Sequence, residues 1–305
     1  MEQSQSGRIV KGVGGLYQVK LPDQETPVAC RAKGAFRHEN LTPLVGDVVC
    51  LEFDPTGDAM ISDILERKNA LIRPPLANLD IMFVTLAAAK PQPVLETVDK
   101  LICILEHHRI NPVIVVTKYD ANPDYAESLY ALYKSAGFDT FCTCSKDGTG
   151  VENLLAYVKT HCEGKISAFA GASGVGKSTL LNALFPSLAL QTSEISRKIE
   201  RGKHTTRTVE LFHMPGTESG FIADTPGFSM LDFARFNFFT KDDLPLTMRE
   251  FIPHLGNCRF TKCSHTKEQG CASLEAVKRG EIAKSRHDSF VAIYDVLKNK
   301  HDWDN

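Results

Sequence analysis

The chain has 305 residues, 43% hydrophobic and 24% charged, with a formal net charge of −2. This is a globular balance with room for two or three domains and a sizeable core. It excludes a membrane-spanning chain, because no apolar run approaches the length of a span, and a chain basic throughout, so any nucleic-acid surface must be local. The first residues, MEQSQSGRIV, lack the basic-then-apolar order of a signal peptide, and a cytoplasmic location is expected. Six of the nine cysteines (Cys30, Cys50, Cys103, Cys142, Cys144 and Cys162) are scattered and read as small buried hydrophobes in a reducing compartment.

Residues 1 to about 66 read as short strands. GRIVKGVGGLYQVKL alternates with glycine punctuation, and TPVACRAKG, LVGDVVCLEF and DAMISDILE follow between Pro, Gly and Asp turns. So many short strands predict a small β-barrel, with an OB-type, nucleic-acid-binding barrel leading and a barrel without ligand as the bland alternative. ERKNALIRPPLANLD reads as a linker. IMFVTLAA and PVIVVTK are then continuous apolar runs of strand length around LETVDKLICILEHHR, which has helical spacing; this is a β-α-β unit with buried parallel strands. A helix over 124–136, the strand DTFCTCS, a helix over 151–160 and the strand KISAFAG follow. TVELFHM and GFIADT predict a hairpin around PGTESG, and the pattern turns helical from about 240.

The chemistry lies at the strand ends. GASGVGKST, Gly171 to Thr179, fits the phosphate-loop pattern with a strand before it and a helix after it. Glycines at 171, 174 and 176 let backbone N–H groups turn inward around phosphates, with Ala172, Ser173 and Val175 between them. The new helix points its positive end at the same anion. Lys177 would reach the outer phosphates and Ser178 would ligate Mg²⁺. In IADTPGF, Asp224 can hold Mg²⁺ and the Gly227 amide can meet the terminal phosphate. In VVTKYD, residues 115–120, an Asp at position 120 can accept two N–H bonds from guanine, which adenine cannot offer. Lys118 would pack over the base, with Thr117 and Tyr119 flanking it. The order is base reader, phosphate loop, Mg²⁺ loop, which makes this a circularly permuted G domain; permutation is tolerable where the original termini lie close together.

With the barrel's VGD, the linker, TKYD, GASGVGKSTLLN, GKHTTR, DTPGF and a C-terminal Cys/His set in this order, the chain resembles the circularly permuted ribosome small-subunit-dependent GTPase A (RsgA, YjeQ or YloQ) family over nearly its whole length. The resemblance implies an OB-fold over 1–67, a permuted GTPase domain over 68–238 and a zinc-binding helical domain over 239–305. It implies a GTP hydrolase stimulated by the small ribosomal subunit, binding 16S rRNA and acting late in subunit maturation. GTP/GDP are its ligands, no membrane partner is implied, and a monomer is expected. Two departures stand out. The family usually has Asn where this chain has Thr117, and a hydroxyl makes fewer bonds than an amide, so lower guanine affinity is expected. The other base loop, usually Ser-Ala-Lys, aligns on Cys144, Ser145 and Lys146.

Cys258, Cys263, His265 and Cys271 offer three thiolates and an imidazole, the donor set of a closed, structural Zn²⁺ site. After Gly227 stands Phe228, which cannot orient water as the Gln of Ras-like enzymes does. GKHTTR sits where the first switch belongs. It offers Thr205 or Thr206 for Mg²⁺ and His204 to act on the water, the alternative being that His204 contacts phosphate or RNA without a chemical role. The basic run 197–207 reads as a switch arm able to meet rRNA phosphates. Two other readings stay open. One is an RNA-binding ribosome assembly protein that uses guanine nucleotide mainly as a conformational ligand. The other is an adenine-nucleotide kinase or ATPase with a fortuitous TKYD.

Overall fold

The computed structural model describes residues 5–34, 36, 41–71, 74–186, 188, 209–224 and 239–299. The chain divides into two compact units, one of Met1–Ile81, Ala156–Phe169 and Phe185–Phe228, the other of Met82–Leu155, Ala170–Leu184 and Ser229–Asn305.

In the first unit the alternating segments form five strands: β1 (Gln5–Val13), β2 (Leu16–Lys20), β3 (Val28–Ala32), β4 (Val48–Phe53) and β5 (Ala59–Ile64). Pairing runs β1–β2–β3–β5–β4, and β4 returns to β1. Among the described residues of the barrel the closure leaves no free edge, and β3 with β5 is the one parallel pair of its five strands. The inward positions Ile9, Val19, Cys30, Val49, Leu51 and Ile61 are all buried, as period-2 patterning on a closed sheet requires. The first half of β1 closes the barrel, whereas Lys11, just past a register shift in the β1–β2 pairing, pairs with Glu210.

The VGD segment is a joint. A side chain on Gly46 would put its first carbon 2.1 Å from the Ala77 carbonyl oxygen, at a φ of +94°, so only glycine fits. Buried Asp47 accepts from the Leu44 amide and from Arg67 Nε and Nη2 at 2.7 Å each. The segment read as a linker is more ordered than its Pro-Pro pattern suggests. It forms a short antiparallel pair, β6 (Ala70–Leu71) and β7 (Leu76–Ala77). Asn69 exchanges two bonds with the Leu79 backbone, while Asn78 accepts from the Lys68 amide and donates to the Gly46 carbonyl. Side-chain amides here satisfy backbone groups that a two-residue ladder leaves open.

The continuous apolar runs become β8 (Ile81–Ala87) and β9 (Asn111–Thr117), joined by helix α1 (Leu95–His107). Every residue of β8 and all but the first of β9 are buried, as strands covered on both faces demand. After β9 come α2 (Pro123–Ser135), capped by Asn122, then β10 (Asp139–Cys142) and α3 (Val151–His161). Strand β10 lies parallel to β9, with Asp139 opposite Val113 and Cys142 opposite Val116. Strand β11 (Ile166–Ala170) is wholly buried and runs into the glycine loop and helix α4 (Lys177–Leu184). Strands β12 (Glu210–His213) and β13 (Phe221–Asp224) form the expected hairpin, with β13 parallel to β11.

The C-terminal region of the second unit opens with two 3₁₀ turns, Leu244–Thr247 and Ile252–His254. The Cys/His segment follows without regular structure, then α5 (Ala272–Arg279) and α6 (Lys284–Lys298). Gly280 ends α5 in the left-handed conformation usual for a helix stop. Arg286, Phe290 and Ile293 put the buried face of α6 in the core, where it packs on α1. Fully buried Arg286 sits between two carboxylates, 2.5 Å from Asp99 Oδ1 and 2.6 Å from Glu250 Oε1. Among the described residues no helix is long and apolar enough to cross a membrane.

Candidate nucleotide site and metal centre

Three glycines shape the phosphate loop. A side chain on Gly171 would lie 2.5 Å from the Thr85 carbonyl oxygen, and Gly174 and Gly176 hold φ of +80° and +103°, a region that L side chains rarely occupy. Val175 is buried and anchors the loop, whereas Ser173, Gly174, Ser178 and Thr179 are exposed. Helix α4 starts at Lys177, and its first amides are free of intrahelical partners in the way that suits an anion. Lys177 Nζ donates to the carbonyls of Gly171 and Ala172 at 2.7 and 3.0 Å. Partial burial lowers its pKa.

The base motif at the end of β9 is bonded directly to this loop. Buried Thr117 places Oγ1 2.9 Å from the Leu86 carbonyl and 2.6 Å from the Val175 carbonyl. One hydroxyl proton thus serves the end of β8 and the phosphate loop together. Lys118 adopts φ +57° and turns its stem over the loop, Nζ donating to Lys90 and Gly174 carbonyls at 2.6 and 2.7 Å. Asp120 follows in a 3₁₀ turn, Tyr119–Ala121. Its Oδ2 lies 2.6 Å from Lys146 Nζ. Bonds from Lys146 and then the Cys144 thiol hold its carboxyl below the usual carboxylate range, so it is an acceptor at neutral pH. The Tyr119 amide donates to the Thr143 carbonyl at 3.2 Å, and the Thr143 amide to the Val116 carbonyl at 2.7 Å. The loop aligned on Cys144, Ser145 and Lys146 thus lies against the T-K-x-D turn.

The structure therefore brings Thr117, Lys118, Asp120 and residues 171–178 into one neighbourhood. The side chain of Tyr119 turns elsewhere, into a groove of about 700 Å³ outside β10 lined also by Glu127, Tyr130 and Cys142. Asp224 is the last residue of β13, and only its backbone is described. His204, Thr205, Thr206, Gly227 and the basic run 197–207 lie outside the described residues. The ties to the Leu86 and Lys90 carbonyls had no signal in the sequence, since any residue supplies a carbonyl.

The metal-ligating candidates converge. The donor atoms of Cys258, Cys263, His265 and Cys271 all lie within 4.8 Å of one another. Cys258 Sγ is 3.9 Å from Cys271 Sγ, and each is 3.5 Å from His265 Nδ1. A tetrahedral ion with metal–sulfur bonds of about 2.3 Å and metal–nitrogen bonds of about 2.0 Å needs separations of about 3.8 Å and about 3.5 Å. The donor set and its spacing fit zinc. The Ala272 amide, at the start of α5, donates to Cys258 Sγ at 3.3 Å. Burial lowers the His265 pKa, favouring the neutral ring that ligates, and pushes the Cys263 thiol up to about 12. A dication is the group that would reverse that cost. Glu268 braces the loop by accepting from the Ser264, Thr266 and Lys267 amides. Burial opposes its charge, but bonds from the Ser264 hydroxyl first, then from the Ser264 and Lys267 amides, draw its carboxyl down to about 2.

A closed five-strand barrel precedes a buried parallel sheet in which a base loop, read before the phosphate loop, is bonded to it. These features define a circularly permuted GTP hydrolase. The RsgA GTPase family model matches residues 64–234 and the RsgA N-terminal domain model residues 6–61, and the chain belongs to the RsgA GTPase family. The small ribosomal subunit biogenesis GTPase RsgA of Caldanaerobacter subterraneus subsp. tengcongensis is 39% identical over 301 residues, 98% of each chain. That of Bacillus subtilis is 38% identical, over 96% of this chain and 98% of its own. Among solved structures, YjeQ from Thermotoga maritima matches at 31% identity and a TM-score of 0.83, covering 98% of this chain and all of its own. YloQ, described as a circularly permuted GTPase, matches at 33% identity and a TM-score of 0.78, covering 98% of this chain and 96% of its own.

Proposed function

We propose that this GTP hydrolase works on the small ribosomal subunit as a late maturation checkpoint, in the cytoplasm and as a monomer, binding 16S rRNA through its barrel and the basic run 197–207. The domains assigned to this work are residues 1–67, 68–238 and 239–305. The observation that carries the nucleotide part is the pair of bonds from Thr117 and Lys118 to the carbonyls of Val175 and Gly174. They support a base reader and a phosphate cradle built as one unit. The subunit role rests on the names of relatives matched over nearly their whole length.

In this reading Asp120 accepts the guanine N1–H and the exocyclic amine together, and the stem of Lys118 covers the base. The amides of residues 172–177 cradle the phosphates and Lys177 meets the outer ones. Ser178, Thr205 and Asp224 are the residues that would hold Mg²⁺, which with GTP bound neutralises phosphate charge. The exposed Ser178 hydroxyl at the start of α4 suits that duty. The Gly227 amide meets the terminal phosphate. His204 positions the attacking water when the subunit is bound. The zinc is structural, since Cys258, Cys263, His265 and Cys271 fill all four positions and leave none for a reacting water.

The test is Asp120→Asn. An amide in place of the carboxylate donates where guanine also donates, and meets the second carbonyl of xanthine instead. The variant should lose GTP turnover and gain XTP turnover. If it keeps its GTP preference, Asp120 does not read the base. His204→Ala should abolish subunit-stimulated turnover with GTP binding intact, and unchanged stimulated turnover would remove His204 from the mechanism.

A further inference from the structure

Arg249 lies between the two 3₁₀ turns of the C-terminal region, yet its guanidinium reaches helix α1, the first residue of β9 and the turn before β10. Nε and Nη2 meet Glu106 Oε1 in the last turn of α1, at 2.8 and 2.7 Å. Nη1 donates to the Gly137 carbonyl at 2.9 Å, and Nη2 to Asn111 Oδ1 at 2.9 Å. Asn111 opens β9, and Gly137 stands two residues before β10. The Arg249 guanidinium also lies 4.6 Å from the centre of the buried Phe138 ring, which Arg286 approaches at 5.6 Å. One planar group from the C-terminal region thus ties together the starts of two adjacent parallel strands.

The same two strands end at the base site. β9 delivers Thr117, Lys118 and Asp120, and β10 delivers Thr143 to Lys146. At about 3.3 Å per residue the distance is about 20 Å along the 7 residues of β9 and about 10 Å along the 4 residues of β10. β9 has a neighbour on each side, and the edge strand β10 is paired to it at every one of its residues, so a slide of β10 against β9 at one end appears at the other. Two bonds from one carboxylate to one base demand placement to about 0.5 Å.

We infer that Arg249 is a positioning residue for guanine recognition, holding the two base loops in the register that lets Asp120 make both bonds. The inference rests on Asp120 being the base reader. It has a corollary. Whatever binds the C-terminal region and shifts Arg249 changes nucleotide affinity, and nucleotide changes the affinity of that partner by the same factor. A guanidinium is suited to this clamp because its donors are fixed in one plane, whereas a lysine has no such fork.

The experiment compares GDP with IDP, whose base lacks the exocyclic amine and so makes only one of the two bonds to Asp120. Affinities for both are measured by calorimetry on the full chain, for wild type, Arg249→Gln, Asn111→Ala and Asp120→Asn. Wild type prefers GDP. Both clamp variants lower the GDP-to-IDP ratio about fivefold, within the range for mutations that act through an intervening network, with zinc content and far-UV dichroism retained. A purely structural Arg249 would weaken both nucleotides equally, and an unchanged ratio in the two variants overturns the inference. Should Arg249→Gln fail to fold, Asn111→Ala decides, since it cuts only the tie to β9. Equal binding of GDP and IDP by wild type, unaltered by Asp120→Asn, would instead sink the base reading, and this inference with it.

Discussion

Replacing Arg286 by Met tests what holds the C-terminal helix on the nucleotide-binding unit. The guanidinium has no exposed surface, and its partners Asp99 and Glu250 are 1% and 3% exposed at their side chains. The Tyr133 hydroxyl donates to the same Asp99 oxygen at 3.1 Å. Burial opposes the Arg286 charge, but Asp99 and Glu250 more than offset it and hold its pKa above the ordinary value. Methionine keeps most of the volume and leaves two carboxylates buried without a cation, a defect worth about 3–5 kcal/mol. That is a large share of the roughly 5–15 kcal/mol that holds a domain folded. Burial already raises the Asp99 pKa against the opposing pull of Arg286, and without the guanidinium Asp99 relieves the defect by taking up a proton. Stability of the variant is then retained at low pH and lost as pH rises through that raised value. In urea unfolding followed by far-UV dichroism, Arg286→Met should lie well below wild type, with a deficit larger at about pH 8 than at about pH 5.5. Adding Asp99→Asn and Glu250→Gln should recover more than half of the loss, because neutral amides cost far less to bury than unpaired charges. A loss under about 1 kcal/mol that does not vary with pH would refute the claim that this cluster is a charged, mutually dependent triad.

Chelation of the metal from the Cys258, Cys263, His265 and Cys271 site should lower the melting temperature and the helicity of the C-terminal region, and Cys263→Ser should reproduce both effects; an unchanged melt and an unchanged spectrum would mean that the cluster is not structural. Thr117→Val keeps the shape but removes the proton shared by the Leu86 and Val175 carbonyls, costing about 1–2 kcal/mol; titration should show GDP binding weakened about tenfold, and wild-type affinity would mean that the bridge is idle. Gly171→Ala drives a methyl to 2.5 Å from the Thr85 carbonyl oxygen. Nucleotide binding should be lost from a chain that still holds zinc, and normal binding would mean that the loop relaxes freely there.

The sheet was legible because β8, β9 and β11 are buried on both faces and so read as unbroken apolar runs. The barrel was legible because closure puts one face of each strand inside. The glycine loop, the turn at Thr117–Asp120 and the Cys/His cluster could be placed because each is a local stretch of sequence, the longest of them running from Cys258 to Cys271. What joins them was not legible. Arg286 meets Asp99 across 187 positions and Arg249 meets Asn111 across 138, and no periodicity reports a contact at such range. Arg286 did carry a signal, a charge in helical register with the apolar Phe290 and Ile293. The order of the ERKNALIRPPLANLD segment was hidden because it rests on the amides of Asn69 and Asn78 and not on hydrophobic pattern.

The most direct test of the central claim is hydrolysis of GTP and of ATP by the full chain, with and without purified small ribosomal subunits at fixed salt. The account predicts slow GTP turnover that rises strongly when subunits are added, and no ATP turnover in either condition. ATP hydrolysed as readily as GTP, or GTP turnover unmoved by subunits, would contradict it.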